Sequence, residues 1–394
     1  MKAPAIKILS TIGLALLIYG CVNKDPDIPY WLSDYKGLYK ENPIEASIQW
    51  FKDAKMGMFV HFNLASLMEF GSIDYKLWTM GDADERILDY VGISRDDYNS
   101  AESKERLLYT KFDIPEFDAE KICQLALKAH MKYITFTAHH FSANFSSEYI
   151  PYTSVNSSPA NRDLVAEMIA ACRKYNLAPF LYMRGSYKTA KSGNHETKLA
   201  ILKEILTNYG PLAGIWFDGK QPGDDEVNDF IKELQPQCLV SFKHGIESYS
   251  EDYISPEFFM LPFEYKMQTE GQQYRWEIRR KRWEAKEKES WEEYTKYKLR
   301  EVCNTMMEAK WRDWDTEQIG WMNSEKARRL SGEEAWFWLT YTRFTGSNLL
   351  MSIGPRKDGS IHPDAEKGLI ELGKIIEERG WPEVVHEIPD RPEE

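Results

Sequence analysis

From Pro43 onward the chain alternates segments whose apolar positions recur at helical spacing with short, almost uninterrupted apolar runs. Pro43 to Asp53 predicts a helix and leads into MGMFVHF (Met56 to Phe62). FDAEKICQLALKAH (Phe117 to His130) leads into YITFTAHH (Tyr133 to His140), and RDLVAEMIAACRKYN (Arg162 to Asn176) into APFLYMRG. KLAILKEILTNYG precedes GIWFDG (Gly214 to Gly219), and DEVNDFIKELQPQ precedes CLVSFKHG (Cys238 to Gly245). EEAWFWLTYTRFTG then leads into NLLMSIGP (Asn348 to Pro355), and a last helix covers Asp364 to Arg379. Apolar runs without alternation are what a parallel strand covered on both faces requires, so at least six helix-to-strand repeats predict α/β architecture with a parallel sheet.

The polar residues decide between an open doubly wound sheet and a closed barrel. His61, His139, His140, Tyr182, Asp218 and Lys243-His244 all fall at or just beyond the C-terminal ends of separate predicted strands. A barrel gathers those ends around one mouth, where barrel enzymes keep their active sites. No G-x-G-x-x-G follows the first strand and no G-x-x-x-x-G-K-[ST] occurs, which weakens a nucleotide-binding alternative. The expected fold is a (β/α)8 TIM-like barrel over residues 43–385, with an acid- and Pro-rich tail at 386–394 and no C-terminal β-sandwich.

One segment breaks the rhythm. Between Gln272 and Arg300, within an insertion assigned to 265–300, charge is dense, and Trp276, Trp283 and Trp291 recur 7 and 8 residues apart. That spacing puts three indoles on one helical stripe, as in a solvated helix pinned by its aromatic face or, functionally, a lid over the site. At the other end, Lys2 and Lys7 precede a nearly continuous apolar run from Ile8 to Tyr19, followed by Gly20-Cys21. The run falls short of the roughly 20 apolar residues that span a bilayer. It predicts a lipoprotein signal peptide (1–20), lipidation of Cys21 and a polar linker (21–42), which would tether the domain to a membrane in the periplasm or at a bacterial cell surface. Tyr19 leaves open a signal that is uncleaved or cut elsewhere.

Composition narrows the partners. The 394 residues include 13 Trp, 22 Tyr and 18 Phe, too many for a disordered chain and enough to line a binding surface as well as a core. With 62 acidic against 50 basic residues the net charge is −12, and loss of Lys2 and Lys7 takes it to −14. That field excludes a general nucleic-acid binder and leaves a neutral molecule such as a sugar unopposed. Cys123, Cys172, Cys238 and Cys303 are scattered singly in apolar segments and are expected to be buried thiols.

Asp218 is the sharpest candidate. It ends a hydrophobic strand in GIWFDGK, and Gly219 lets the chain turn away and leave the carboxylate in the mouth. An isolated carboxylate there is costly unless paired or functional; the structural alternative is a helix cap or salt-bridged loop residue. His139 and His140 lack the H-x-x-x-H or H-E-x-x-H spacing of a zinc site, and neighbours on a strand point to opposite faces. They suit hydrogen bonds to sugar hydroxyls better than metal ligation; neither a metal nor any other cofactor is expected.

Taken together and in order, WFKDAKMGMFVHFN, FDAEKICQLALKAHMKYITFTAHH, RDLVAEMIAACRKYNLAPFLYM, IWFDGK and SNLLMSIGPRKDGSIHPDAEKGLIELGKIIEERG resemble the catalytic domain of glycoside hydrolase family 29, the retaining α-L-fucosidases, over about residues 45 to 383. The resemblance implies release of terminal α-L-fucose from a fucosylated oligosaccharide or glycoconjugate through a glycosyl-enzyme intermediate. It implies that Asp218 is the nucleophile, that His61, His139 and His140 bind sugar, and that Trp216 and Tyr182 border the pocket. Trp78, in Leu77-Trp78, falls where a Glu-Trp pair is frequent, and Lys243-His244 falls where an Arg is common, which makes Trp78 and His244 further substrate-binding candidates. For the general acid/base two residues remain open: Glu257 in YISPEFF and Glu301 in REVCN. The second-strand motif departs from K-H-H-D-G-F, reading AHHFSANF (Ala138 to Phe145). That departure keeps two alternatives in view: a catalytically weak glycan-binding protein on the same scaffold, or a hydrolase of a related sugar such as α-L-galactose.

Overall fold

The computed structural model describes residues 28–69, 78–79, 81, 83–140, 142–184, 195–219, 224–243, 250–255, 298–307, 321–325 and 327–385. The signal peptide, Cys21, most of the charged insertion with its three tryptophans, His244, Glu257 and the tail at 386–394 lie outside the described residues.

Eight strands run parallel: β1 (Met56–Val60), β2 (Tyr133–His139), β3 (Ala178–Arg184), β4 (Gly214–Asp218), β5 (Leu239–Ser241), β6 (Tyr253–Ile254), β7 (Leu299–Thr305) and β8 (Asn348–Ile353). Their order is β5-β4-β3-β2-β1-β8-β7-β6. Two backbone hydrogen bonds, Asp252 N to Val240 O at 2.9 Å and Ser255 N to Lys243 O at 2.6 Å, bring the end strands together. The sheet is therefore a nearly closed TIM-like barrel, as the periodicity predicts. The two strands that the periodicity does not announce are β6, only two residues long, and β7, which begins inside the charged segment at Leu299-Arg300.

Helices α1 (Pro43–Ala54), α2 (Ala119–Lys128), α3 (Leu164–Lys174), α4 (His195–Asn208), α5 (Asp224–Leu234), α6 (Gly332–Phe344) and α7 (Pro363–Arg379) connect and cover the strands. Their starts are written locally. Asp118 accepts hydrogen bonds from Glu120 N and Lys121 N, Asp163 accepts from Ala166 N, and Ser331 with Glu334 forms a reciprocal capping box. Pro43 and Pro363 stand in the first turn, where the missing N–H costs nothing. Outward strand residues such as Met58, Ile134, Leu181, Phe217 and Met351 pack under these helices in one large core.

Inward residues form a second cluster. Phe59, Tyr133, Phe180, Trp216, Leu239, Tyr253 and Leu350 fill the barrel, and Trp50 and Phe51 of α1 plug its lower end. Residues 30–41, expected to belong to a linker, belong to this plug instead. They form a 3-10 helix (Tyr30–Tyr35) and a short α-helix (Lys36–Glu41) that bury Trp31, Leu32 and Tyr39 against the same cluster, while the Tyr30 hydroxyl donates to Leu177 O at 2.6 Å. The three apolar side chains supply the burial that a tether lacks. Cys123, Cys172, Cys238 and Cys303 are all buried and none is bridged.

Rings this large fit because two inward positions carry no side chain. A Cβ on Gly57 would sit 2.3 Å from the Tyr133 ring, and one on Gly214 would sit 2.3 Å from the Phe180 ring. Gly57→Ala should therefore destabilise the fold by about 1–3 kcal/mol through overpacking. Gly37→Ala, in a short helix where an added Cβ meets nothing within 4 Å, should be neutral or slightly stabilising. Denaturant unfolding of the two variants separates these outcomes, and equal stabilities would contradict this account of the barrel interior.

Candidate active site

The C-terminal ends of the strands deliver polar side chains to one mouth, and Asp218 occupies its centre. The left-handed turn at Gly219 (φ 89°) ends β4 as expected. An added Cβ there would meet nothing, so the glycine serves backbone conformation and not space. Both Asp218 oxygens are held: Oδ2 accepts from the Tyr182 hydroxyl at 2.8 Å, and Oδ1 pairs with Lys243 Nζ at 2.8 Å. The Asp218 side chain remains 29% exposed toward the opening. Burial by the surrounding protein would raise its pKa, but the Lys243 charge, the His140 ring and the hydrogen bonds from Lys243 and Tyr182 outweigh it. The carboxyl is held well below the ordinary aspartate range.

Lys243 is the contact that the sequence reading passed over in favour of His244. It sits just beyond β5 in a left-handed conformation (φ 60°) unusual for a side-chain-bearing residue, and this turn accompanies its reach to Asp218. Its Nζ also lies 5.9 Å from the centre of the Trp216 ring. Trp216 in turn stacks on Tyr182, with centroids 5.2 Å apart and planes 22° apart. One ion pair, one phenol and one indole thus fix the carboxylate.

The candidate histidines His61, His139 and His140 lie around it unequally. His61 is buried, donates or accepts at Nδ1 with Ser352 Oγ at 2.8 Å, and stacks on Trp321 at 5.3 Å. His140 meets the Tyr182 ring edge-on at 5.1 Å and approaches the Asn63 amide at 3.5 Å. A register shift between Thr137 and His139 breaks the alternation of β2, so that His139 pairs in register with Met183 and His140 is the one beside Asp218's partner Tyr182. Burial lowers all three: His140 to about 3, His139 to about 4 and His61 well below its usual value, so each is neutral at ordinary pH. The loops carrying His61 and His140 are tied together, since Phe62 N donates to Thr137 Oγ1, Leu64 N to Ser142 Oγ and the Asn144 amide to Phe62 O. Among the described residues no group of three or more His, Cys, Asp or Glu side chains could hold a metal ion.

Two sequence candidates stand elsewhere. Trp78, expected at the sugar, is fully buried against Tyr98 (centroids 4.8 Å) and spends its indole N–H on Lys104 O at 2.9 Å. It is a core anchor, because an indole with its one donor satisfied inside the protein has none left for a ligand. Glu301 points into the barrel interior and not into the mouth. It is 0% exposed, Oε2 accepts from the Tyr133 hydroxyl at 2.6 Å and Oε1 from Ser255 Oγ at 2.9 Å, and Trp216 lies between its level and that of Asp218. Burial raises its pKa to about 7 against the partial opposition of Tyr133, Ser255 and Trp216.

An eight-stranded barrel whose mouth presents an ionised carboxylate among stacked aromatics and neutral histidines suits an uncharged, hydroxyl-bearing ligand, and the family that the sequence matches makes the class a glycoside hydrolase. The sequence profile of the α-L-fucosidase family matches residues 33–380, and the chain belongs to that family. The tissue α-L-fucosidase of Rattus norvegicus is 25% identical over 372 residues, covering 84% of this chain and 68% of the rat protein. That of Bos taurus is 23% identical, covering 93% and 75%. Among solved structures, an α-L-fucosidase from Lactobacillus casei in complex with α-L-fucose superposes with a TM-score of 0.61 at 21% identity, over 84% of this chain and 98% of that one. Isoenzyme 1 from Paenibacillus thiaminolyticus gives 0.61 at 22% identity, over 86% and 77%. At those identities the structural likeness concerns the fold.

The raised pKa of Glu301 has a consequence for stability with a definite sign. Its folded value of about 7 lies above the 4.5 of an unperturbed glutamate, so folding takes up a proton between those two values. This contribution to stability is full below about pH 4.5, declines as pH rises toward 7 and is lost above, by on the order of 3 kcal/mol in all. Glu301→Gln should remove that slope, so the variant should gain stability relative to the parent between pH 5 and pH 8 in parallel denaturant titrations. A difference that does not change with pH would contradict the assignment.

Proposed function

We propose that the protein is a retaining exo-α-L-fucosidase in which Asp218 attacks the anomeric carbon of a terminal fucose. The observation that carries this reading is the double anchorage of Asp218, by Tyr182 and Lys243, at the open end of β4. A nucleophile needs to be ionised and fixed in position before the sugar arrives, and the Lys243 charge supplies both conditions. Neutral His61 and His140 can each offer a ring nitrogen to a sugar hydroxyl, and the Tyr182 and Trp216 faces suit the apolar side of a deoxy sugar.

In this reaction a second carboxylic acid protonates the leaving oxygen, Asp218 forms a glycosyl ester, and the same second group then deprotonates the water that releases fucose with retained configuration. A retaining pair stands about 5 to 5.5 Å apart around the sugar. We assign the acid/base role to Glu257, which follows β6 by three residues in the chain, because Glu301 has both oxygens engaged and no exposed surface. The substrate class is a fucosylated oligosaccharide or glycoconjugate. One structural relative is described in complex with Fuca(1,6)GlcNAc. We further propose that the leader places the enzyme in the periplasm or at the cell surface through a lipid on Cys21. Intact-mass analysis of the membrane-extracted protein should then show loss of residues 1–20 and an acylated N-terminal Cys21; a mature chain beginning elsewhere would exclude the anchor.

Asp218→Asn should reduce hydrolysis of 4-nitrophenyl α-L-fucoside by several orders of magnitude while leaving the fold intact by circular dichroism. NMR of the first product formed should show α-L-fucose. Initial release of the β anomer would exclude double displacement, and turnover only on another glycoside, or binding without turnover, would replace the proposed activity. Removal of the neighbouring cation gives a second measurement. Lys243→Met should raise the Asp218 pKa, so the acidic limb of kcat/KM should move to higher pH than in the parent. A limb that stays in place would mean that Lys243 does not set the charge of the nucleophile.

A further inference from the structure

Glu301 is a fully buried carboxyl in the barrel interior that the proposed mechanism does not use, and its surroundings are unusual. Besides the hydrogen bonds from Tyr133 and Ser255, the indole Nε1 of Trp216 faces it without closing a hydrogen bond, and the buried hydroxyl of Tyr253 has no partner. Buried donors in native proteins are nearly always paired, and an ionised carboxylate is a stronger acceptor than a neutral one. Trp216 is two residues before Asp218 on the same inward face of β4, it stacks on Tyr182, and the Tyr182 hydroxyl holds Asp218. Glu301, Trp216, Tyr182 and Asp218 therefore form one contiguous chain of contacts from the barrel interior to the mouth.

We propose that Glu301 is a positioning residue that acts through Trp216: its carboxylate draws on the indole N–H and so sets the ring on which Tyr182 rests while it holds Asp218. The inference rests on the fucosidase reading with Asp218 as nucleophile, and it gives Glu301 a role other than that of acid/base. The titratable and charged groups facing Glu301 and its partners are Tyr133 from β2, Tyr253 from β6 and Cys303 from β7; Arg343 of α6 lies behind Tyr133, Cys238 and Asp252 lie beside Tyr253, and Lys243 lies 5.9 Å from the Trp216 ring. Burial pushes both tyrosines well above their usual pKa, while Glu301 is raised to about 7 and so changes charge near neutrality. As it ionises, its hold on Trp216 strengthens.

The test compares kcat and KM on 4-nitrophenyl α-L-fucoside from pH 5.5 to 8 for the parent, Glu301→Gln, Trp216→Phe and the double variant, each first checked for folding by thermal melting. The parent's own turnover tests the fucosidase reading, and the variants test this one. Glutamine keeps an acceptor but cannot ionise. The ratio of parent to Glu301→Gln kcat/KM should stay near unity at pH 5.5 and rise several-fold by pH 8, and in the Trp216→Phe background, which lacks the indole N–H, it should be flat. A constant ratio in the wild-type background, or a rise that survives in the Trp216→Phe background, overturns the proposal. So does azide rescue of Glu301→Ala, because rescue by an external nucleophile marks the acid/base itself. A merely structural role for Glu301 would lower melting temperatures without changing the ratio with pH.

Discussion

The rest of this structure depends on how the inside of the barrel is filled. Eight parallel strands leave an interior that side chains must pack to the density of a solid, and this chain does so with a few large rings where many barrels use branched aliphatics. Tyr133, Phe180 and Trp216 come from successive strands, and Gly57 and Gly214 vacate the volume those rings occupy. A packing scheme built on aromatics with polar tips has to satisfy those tips. Tyr133 does so on Glu301, so a carboxyl enters the core because a tyrosine does. The mouth is the uppermost part of the same arrangement, since Trp216 and Tyr182 belong both to the packed interior and to the wall around Asp218.

Two carboxyl groups, separated by one tryptophan, are driven in opposite directions by their surroundings. Asp218 has a cation at 2.8 Å and stays ionised, whereas Glu301 has neutral hydroxyl partners and holds its proton up to about pH 7. Burial acts the same way on both. The difference is whether a positive charge is within reach, which the inward-facing Lys243 settles for Asp218 alone. Environment thus separates the charge states of chemically similar groups.

Much of this was legible in the sequence because it follows from local rules. The unbroken apolar runs marked the parallel strands, the polar residues ending them marked the mouth, and the Asp218-Gly219 pair marked the turn that presents the carboxylate. What the sequence concealed depended on three-dimensional neighbours. Trp78 and Trp216 are both buried tryptophans, and their neighbours separate them: Trp78 gives its indole N–H to Lys104 O, whereas Trp216 stacks on the Tyr182 that holds Asp218. Residues 30–41 carry apolar and aromatic side chains with no repeat long enough to announce an element, yet Trp31, Leu32 and Tyr39 all turn to the barrel plug. The preference for His140 over His139 comes from a register shift in β2 that no periodicity announces. Lys243 looked interchangeable with its neighbour until the strand end brought it to Asp218.

The barrel is not equally laced around its circumference. Where β5 meets β6 the strands are three and two residues long, and two main-chain bonds are supplemented by the Asp252 carboxylate, which accepts from Val240 N at 2.7 Å and pairs with Lys232 at 2.5 Å. Such a junction carries fewer ladder bonds than the long pairings of β1 to β3, which places it toward the low end of local stability. Lys243 stands at the upper end of this seam. The cation paired with Asp218 is therefore mounted on a short-stranded junction of the wall, so the same few main-chain bonds that close the barrel also hold that lysine in place.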